Sequence, residues 1–107
     1  MKRRRVIWSR DAYDDLKAAV GYIARDNPSA ARRVNAAIRK AGAKLGSAAT
    51  GRPGRVFGTY EKVVARLPYI LVYELAAVRN GLEEEIVILY VVHGARDWPG
   101  EGNAPTG

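Results

Sequence analysis

The chain has no cysteine, and among its 107 residues there is one histidine, one methionine and one phenylalanine. Without cysteine, disulfides and thiol chemistry are excluded. A lone histidine leaves a protein-built zinc site without its usual donors, so neither a metal nor another cofactor is expected. Long apolar runs are also missing. The stretch Ile86 to Val92 falls far short of the roughly 20 residues that span a bilayer as a helix. The basic start Lys2-Arg3-Arg4-Arg5 is followed only by Val6-Ile7-Trp8. The sequence therefore predicts neither a secretory leader nor a membrane span, and a cytoplasmic location is the expectation. Gly51-Arg52-Pro53-Gly54-Arg55 lacks the lysine followed by serine or threonine that a phosphate-binding loop requires, and it does not lead from a strand into a helix. A nucleotide site is rejected.

What is present suits one domain. An apolar content of 48% supports a core over residues 1–99, whereas Gly100 to Gly107 (GEGNAPTG) has almost nothing to bury and is expected to be disordered. The net charge is +7, and it is concentrated. Between Asn27 and Arg66 stand Arg32, Arg33, Arg39, Lys40, Lys44, Arg52, Arg55, Lys62 and Arg66 against Glu61 alone, nine positive and one negative, which gives +8. Such a field favours an anionic partner, whether nucleic acid, ribosome or an acidic protein segment.

Residues 3–8 read as a first strand that Ser9 stops. Ser9 also suits an N-cap, with Asp11 placed to complement the helix dipole. Ala12, Leu16, Ala19, Val20 and Ile23 recur at helical spacing and predict a helix of about four turns. Asn27-Pro28 ends it and starts another, because the residue before proline avoids the helical region while proline fits the first helical position. The second helix places Val34, Ile38, Ala41 and Leu45 on one face and the basic residues opposite. Residues 46–58 (GSAATGRPGRVFG) predict a loop that ends in a brief strand at Val56-Phe57. Residues 59–66 and 69–76 predict two strands, with Pro68 between them. Asn80-Gly81 predicts the turn to a last strand, 86–93, whose continuous apolar character suits a place at the sheet's centre, covered on both faces. The order β-α-α-β-β-β implies an α+β domain, a helical hairpin on one face of a mainly antiparallel four-stranded sheet.

Two features could carry chemistry. His93 and Arg96 place a titratable base near a fixed cation at the end of the last strand, where they could serve as general base and phosphoryl stabiliser. Alternatively, His93 caps the strand and Arg96 pairs with Asp97. Trp98 either closes the core or anchors a partner. Glu83-Glu84-Glu85 reads as a solubilising turn, and Asp11, Asp14 and Asp15 read as decoration on the first helix.

Val6-Ile7-Trp8-Ser9, Tyr22-Ile23-Ala24, Asp26-Asn27-Pro28, Gly51-Arg52-Pro53-Gly54, Pro68-Tyr69-Ile70-Leu71-Val72-Tyr73 and His93-Gly94-Ala95-Arg96-Asp97-Trp98-Pro99 together resemble the RelE/ParE toxins of bacterial type II toxin-antitoxin systems. They look more like the ParE-type, plasmid-stabilisation members. The resemblance implies a βααβββ fold and a cognate, ParD-like antitoxin in a hetero-oligomer, and the +8 segment predicts that an acidic amphipathic stretch of it covers the hairpin and part of the sheet, meeting Arg33, Lys40, Arg55 and Tyr13. The resemblance also implies DNA gyrase as a target inhibited without covalent chemistry, through Arg96, Trp98 and Arg66. RelE-like members instead cleave messenger RNA on the ribosome. Under that alternative Lys62, Arg96 and His93 would be catalytic, but Ile70 stands where an arginine is expected and the C-terminal tyrosine has no counterpart. A third reading is an inactive partner-binding module that serves operon autoregulation.

Overall fold

The computed structural model describes residues 3–78, 81 and 83–94. The elements are β1 (Val6–Trp8), α1 (Arg10–Ala24), α2 (Pro28–Leu45), β2 (Arg52–Pro53), β3 (Tyr60–Val63), β4 (Tyr69–Ala77) and β5 (Glu84–His93). They form a helical hairpin and a five-stranded sheet in the order β1-β5-β4-β3-β2. The expected architecture holds, with one strand more than four. That strand is β2, which pairs with Tyr60 and Glu61. It corrects the expectation of a strand at Val56-Phe57: these residues form an exposed turn instead. The arginine-proline pair of β2 has no strand pattern of its own and is extended because β3 lies beside it.

Both helix starts follow from their caps. Ser9 Oγ accepts from the Ala12 amide at 3.0 Å, and Asn27 Oδ1 accepts from the Ala30 amide at 3.0 Å with Pro28 opening the next helix. Each cap satisfies one of the amides that a helix leaves without a partner at its N-terminus.

β1 runs parallel to β5, with Val6 opposite Ile86 and Trp8 opposite Ile88, while the remaining pairs are antiparallel. β5 is therefore interior, between β1 and β4, although β4 holds the middle place. The helices press Leu16, Ile38 and Leu45 onto Leu71, Tyr73, Ile86, Ile88 and Val91. Alternate residues of a strand face opposite ways, so Ile70 and Val72 turn to the far face, where they cluster with Val92. That places β5 between two apolar layers.

A bulge interrupts the β4–β5 register. Val72 faces Tyr90 and Tyr73 faces Ile88, which leaves Leu89 as the extra residue. β1 has ended at this point, so its ladder no longer satisfies the β5 backbone. Ser9 Oγ donates to the Leu89 carbonyl at 3.0 Å, and the Asp15 carboxylate accepts from the Val91 amide at 3.0 Å. Asp15 is thus a brace between α1 and the sheet rather than decoration. Glu84 and Glu85 likewise differ from a free turn: they begin β5 and pair with Arg4 and Arg5, each at 3.3 Å. The predicted turn at Asn80 and the predicted tail at 100–107 lie outside the described residues.

Candidate protein-binding groove

The last turns of α2 and the end of β3 enclose a groove of about 420 Å³. Its floor is apolar, with Ala37, Ala41, Leu45 and Val64, and Lys40, Lys44 and Lys62 stand around it. The helical periodicity explains this composition, since Ala37, Ala41 and Leu45 fall on the face turned to the sheet while the lysines flank it. β2 covers β3 only at Tyr60 and Glu61. Beyond these, no strand pairs with that edge among the described residues, and Val63 is half exposed there. An apolar trough with cationic walls beside an open strand edge suits an extended or helical segment that carries acids and a few apolar anchors.

α2 can approach the sheet closely because residue 42 is glycine. A Cβ there would come within 2.6 Å of Trp8 Cζ2 and 3.0 Å of Ile88 Cδ1.

The loop entering β3 is organised by a buried acid. Glu61 is only 3% exposed. Its carboxylate accepts from the Arg55 amide at 2.8 Å and from Arg52 Nη2 at 3.2 Å, and it lies 4.0 Å from Arg55 Nε. Gly51 (φ 126°) packs on the same strand, where a Cβ would lie 2.5 Å from the Glu61 carbonyl oxygen. The backbone therefore approaches β3 as only glycine allows. Nearby, the Tyr73 hydroxyl donates to the Thr50 carbonyl at 2.7 Å, and its ring stacks on Tyr60 at 5.5 Å. Burial, followed by the neighbouring Tyr60, pushes the Tyr73 phenol above its usual pKa of 10.0, while Arg4 acts in the opposite direction.

A second cleft of about 570 Å³ lies between α1 and the end of β5. Asp11, Asp14 and Asp15 line one side, with Tyr22, Tyr69 and His93 among the other residues. His93 meets the Tyr69 ring edge-on at 5.6 Å, and its buried Nδ1 has no hydrogen-bond partner among the described residues.

The residues singled out from the sequence separate into distinct places. Lys40 and Lys62 share the groove. Arg33 is exposed and donates to Ser29 Oγ at 3.1 Å. Tyr13 is exposed on α1 with Lys17 Nζ 5.4 Å from its ring centroid. Arg55 contacts Glu61, and Arg66 sits exposed in the β3–β4 turn with φ 67°, a strained value for a side chain with a Cβ. Arg96 and Trp98 lie outside the described residues. Lys62 and His93 are not brought together. β4 separates their strands and they are two residues out of row, which puts them on the order of 12 Å apart by strand spacing and rise. Ile70, which occupies the position of an expected arginine, is buried in the far-face cluster.

Three features were not found from the sequence: the Glu61 clamp, the Asp15 brace and the exposed tip at Phe57. Glu61 had one available signal, as the only acid within the +8 segment.

Fold and groove together define a small α+β protein with a cation-walled apolar groove beside an open strand edge. Residues 6–98 match the model of the ParE toxin of type II toxin-antitoxin systems (parDE), and the chain belongs to this family. It is similar to "Putative toxin Y4kP" of Sinorhizobium fredii (strain NBRC 101917 / NGR234), at 38% identity over 92% of this chain and 97% of that one. Its fold is also similar to that of a chain described as the chromosomal ParDE TA system from P. aeruginosa. That match has a TM-score of 0.73 and 24% identity, and it covers 85% of this chain and 96% of the other.

Proposed function

We propose that this ParE-family toxin inhibits DNA gyrase by binding it, without covalent chemistry, and that a cognate antitoxin neutralises it. The observation that carries the non-catalytic reading is the separation of Lys62 from His93. Lys62 lies in the groove, His93 lies across the sheet beside an acidic cleft, and an apolar Ile70 fills the place of the expected arginine. Preorganised donors aimed at a developing charge are usually the largest contribution to phosphoryl-type catalysis, and the described residues offer no such set. Arg66, exposed at the end of β3, is proposed to meet the target together with Arg96 and Trp98.

The antitoxin side of the proposal rests on the groove. An acidic, amphipathic segment would lay apolar residues on Ala41, Leu45 and Val64 and offer carboxylates to Lys40, Lys44 and Lys62. Arg33, Arg55 and Tyr13 would extend its path across the hairpin and the loop.

A supercoiling assay with purified gyrase tests the target. The expected result is inhibition that the antitoxin relieves. No inhibition at large molar excess, together with cleavage of ribosome-bound message, would replace this reading with ribosome-dependent RNA cleavage. Failure in both assays, with harmless expression in a sensitive host, would leave a partner-binding module.

A further inference from the structure

The chain's only phenylalanine, Phe57, is completely exposed, at 102% of its reference surface, and the adjacent Val56 is 46% exposed. A single exposed apolar residue needs no explanation by itself. The construction beneath this one does. Gly54 donates to the Thr59 carbonyl at 2.8 Å and the Thr59 amide to the Val56 carbonyl at 3.1 Å. The Thr59 hydroxyl also donates to the Val56 carbonyl, at 2.6 Å. Below the tip, the buried carboxylate of Glu61 holds the Arg55 amide and both loop arginines. A buried acid is costly unless it is paired, and its visible product here is a fixed turn that presents two apolar side chains to water.

We infer that residues 54–59 form a rigid finger whose Phe57 and Val56 insert into an apolar, acid-rimmed pocket on the toxin's protein target. The identity of that target rests on the gyrase reading above. Rigidity is the first argument, since an anchor already held in its bound shape loses little conformational freedom on binding. Chemistry is the second, because aromatic side chains are enriched at interface cores. Charge is the third: Arg52 and Arg55 against Glu61 leave the loop with +1, and both guanidinium side chains remain partly exposed, which suits an acidic rim. A nucleic acid is the less favoured occupant. A net charge of +1 offers little to a phosphate backbone, whose binding rests on many cation contacts, and valine offers no face for stacking on a base.

The tip, Val56 and Phe57, lies outside the lining of the antitoxin groove; only Arg55 at its base is shared with the proposed antitoxin path. It stands at the opposite end of β3 from Arg66, on the order of 15–20 Å away by strand rise. A standard interface of about 800 Å² per partner, roughly 30 Å across, accommodates both.

Phe57→Ala and Phe57→Ser, made in the full-length chain, test this. Half-inhibition of gyrase supercoiling should require about 30-fold more of either variant, the loss expected of an interface anchor. Antitoxin affinity and the thermal midpoint should remain as in the wild type. If the wild type inhibits and both variants inhibit equally well, the finger is not the anchor while the gyrase reading stands. If the wild type itself fails to inhibit, the gyrase reading and this inference fall together. Loss of antitoxin binding in parallel would show a shared or merely structural role, and an equal loss of retention on DNA alone would assign the tip to nucleic acid. Either result overturns the inference.

Discussion

Two glycines in the helical hairpin offer a matched test of how tightly α2 seats on the sheet. Both lie inside helices, where alanine is intrinsically better by about 0.8–1 kcal/mol. At Gly21 in α1 an added Cβ meets nothing within 4 Å, so Gly21→Ala should deliver nearly the full gain. At Gly42 in α2 the same methyl would come 2.6 Å from Trp8 Cζ2 and 3.0 Å from Ile88 Cδ1. Trp8 belongs to β1 and packs on the core, so it cannot swing clear as a surface lysine would. Overpacking of this kind costs about 1–3 kcal/mol. After the propensity gain, Gly42→Ala should be destabilising by about 0–2 kcal/mol, and the two variants should differ by about 1–3 kcal/mol. For a domain of this size each kcal/mol moves the midpoint by about 4 °C. Thermal unfolding of the two variants against the wild type gives the answer, with urea titration as the check on two-state behaviour. Gly42→Ala should also weaken antitoxin binding, since lifting α2 off β1 moves Ala41 and Leu45, which floor the groove. A Gly42→Ala chain as stable as Gly21→Ala, with unchanged antitoxin affinity, would refute the close seating of α2.

Three further outcomes follow from particular contacts. Glu61→Gln keeps the shape of the clamp but removes its charge, and should cost about 1–2 kcal/mol as charge-assisted bonds become neutral ones, a loss read by urea denaturation; because Arg52 and Arg55 are partly exposed, no larger cost is expected. Tyr73→Phe should flatten the alkaline limb of the stability curve. In the folded chain the phenol holds its proton above pH 10.0 while the unfolded chain releases it, so wild-type stability falls as pH rises from about 10 through the folded pKa. The variant should lose about 1 kcal/mol at neutral pH with the Thr50 hydrogen bond but show less additional loss above that pH in chemical denaturation at stepped pH. Reversing Lys40 and Lys44 to glutamate should weaken antitoxin binding about tenfold or more and reduce its salt dependence, as measured by titration calorimetry at two ionic strengths; insensitivity to both changes would rule out the electrostatic account of the groove.

The parts legible in the sequence were those fixed by neighbours along the chain. Ser9 and Asn27-Pro28 announce the helix starts because a cap and the amide it accepts from are three residues apart, Leu16 and Ile38 reach the core by helical spacing, and Ile88 does so within a continuous apolar run. What escaped depends on residues brought together from far apart. β2 is extended only because β3 lies beside it, and Val56-Phe57, apolar and adjacent, looks like a strand until the Glu61 clamp turns it outward. The bulge at Leu89 is invisible without the end of β1 and the register of β4, so the role of Asp15 was invisible too. Of the site, the lysines of the groove were recognisable as charge. Their convergence on an apolar floor with Lys62, as opposed to His93, required the sheet order.

The parallel pairing of β1 with β5 also constrains how this chain can come into being. Ser9 and the Leu89 carbonyl that its hydroxyl reaches are 80 residues apart. At synthesis rates of about 5–20 residues per second, the N-terminal strand waits about 4–16 s for its partner to be made. Until then Trp8 has no neighbouring strand and the bulge that receives Asp15 does not exist, so neither helix has a finished sheet to lie on. The sheet on which both helices lie is therefore completed only once β5 has been made. A partner already present in the cell would meet the groove as soon as it forms.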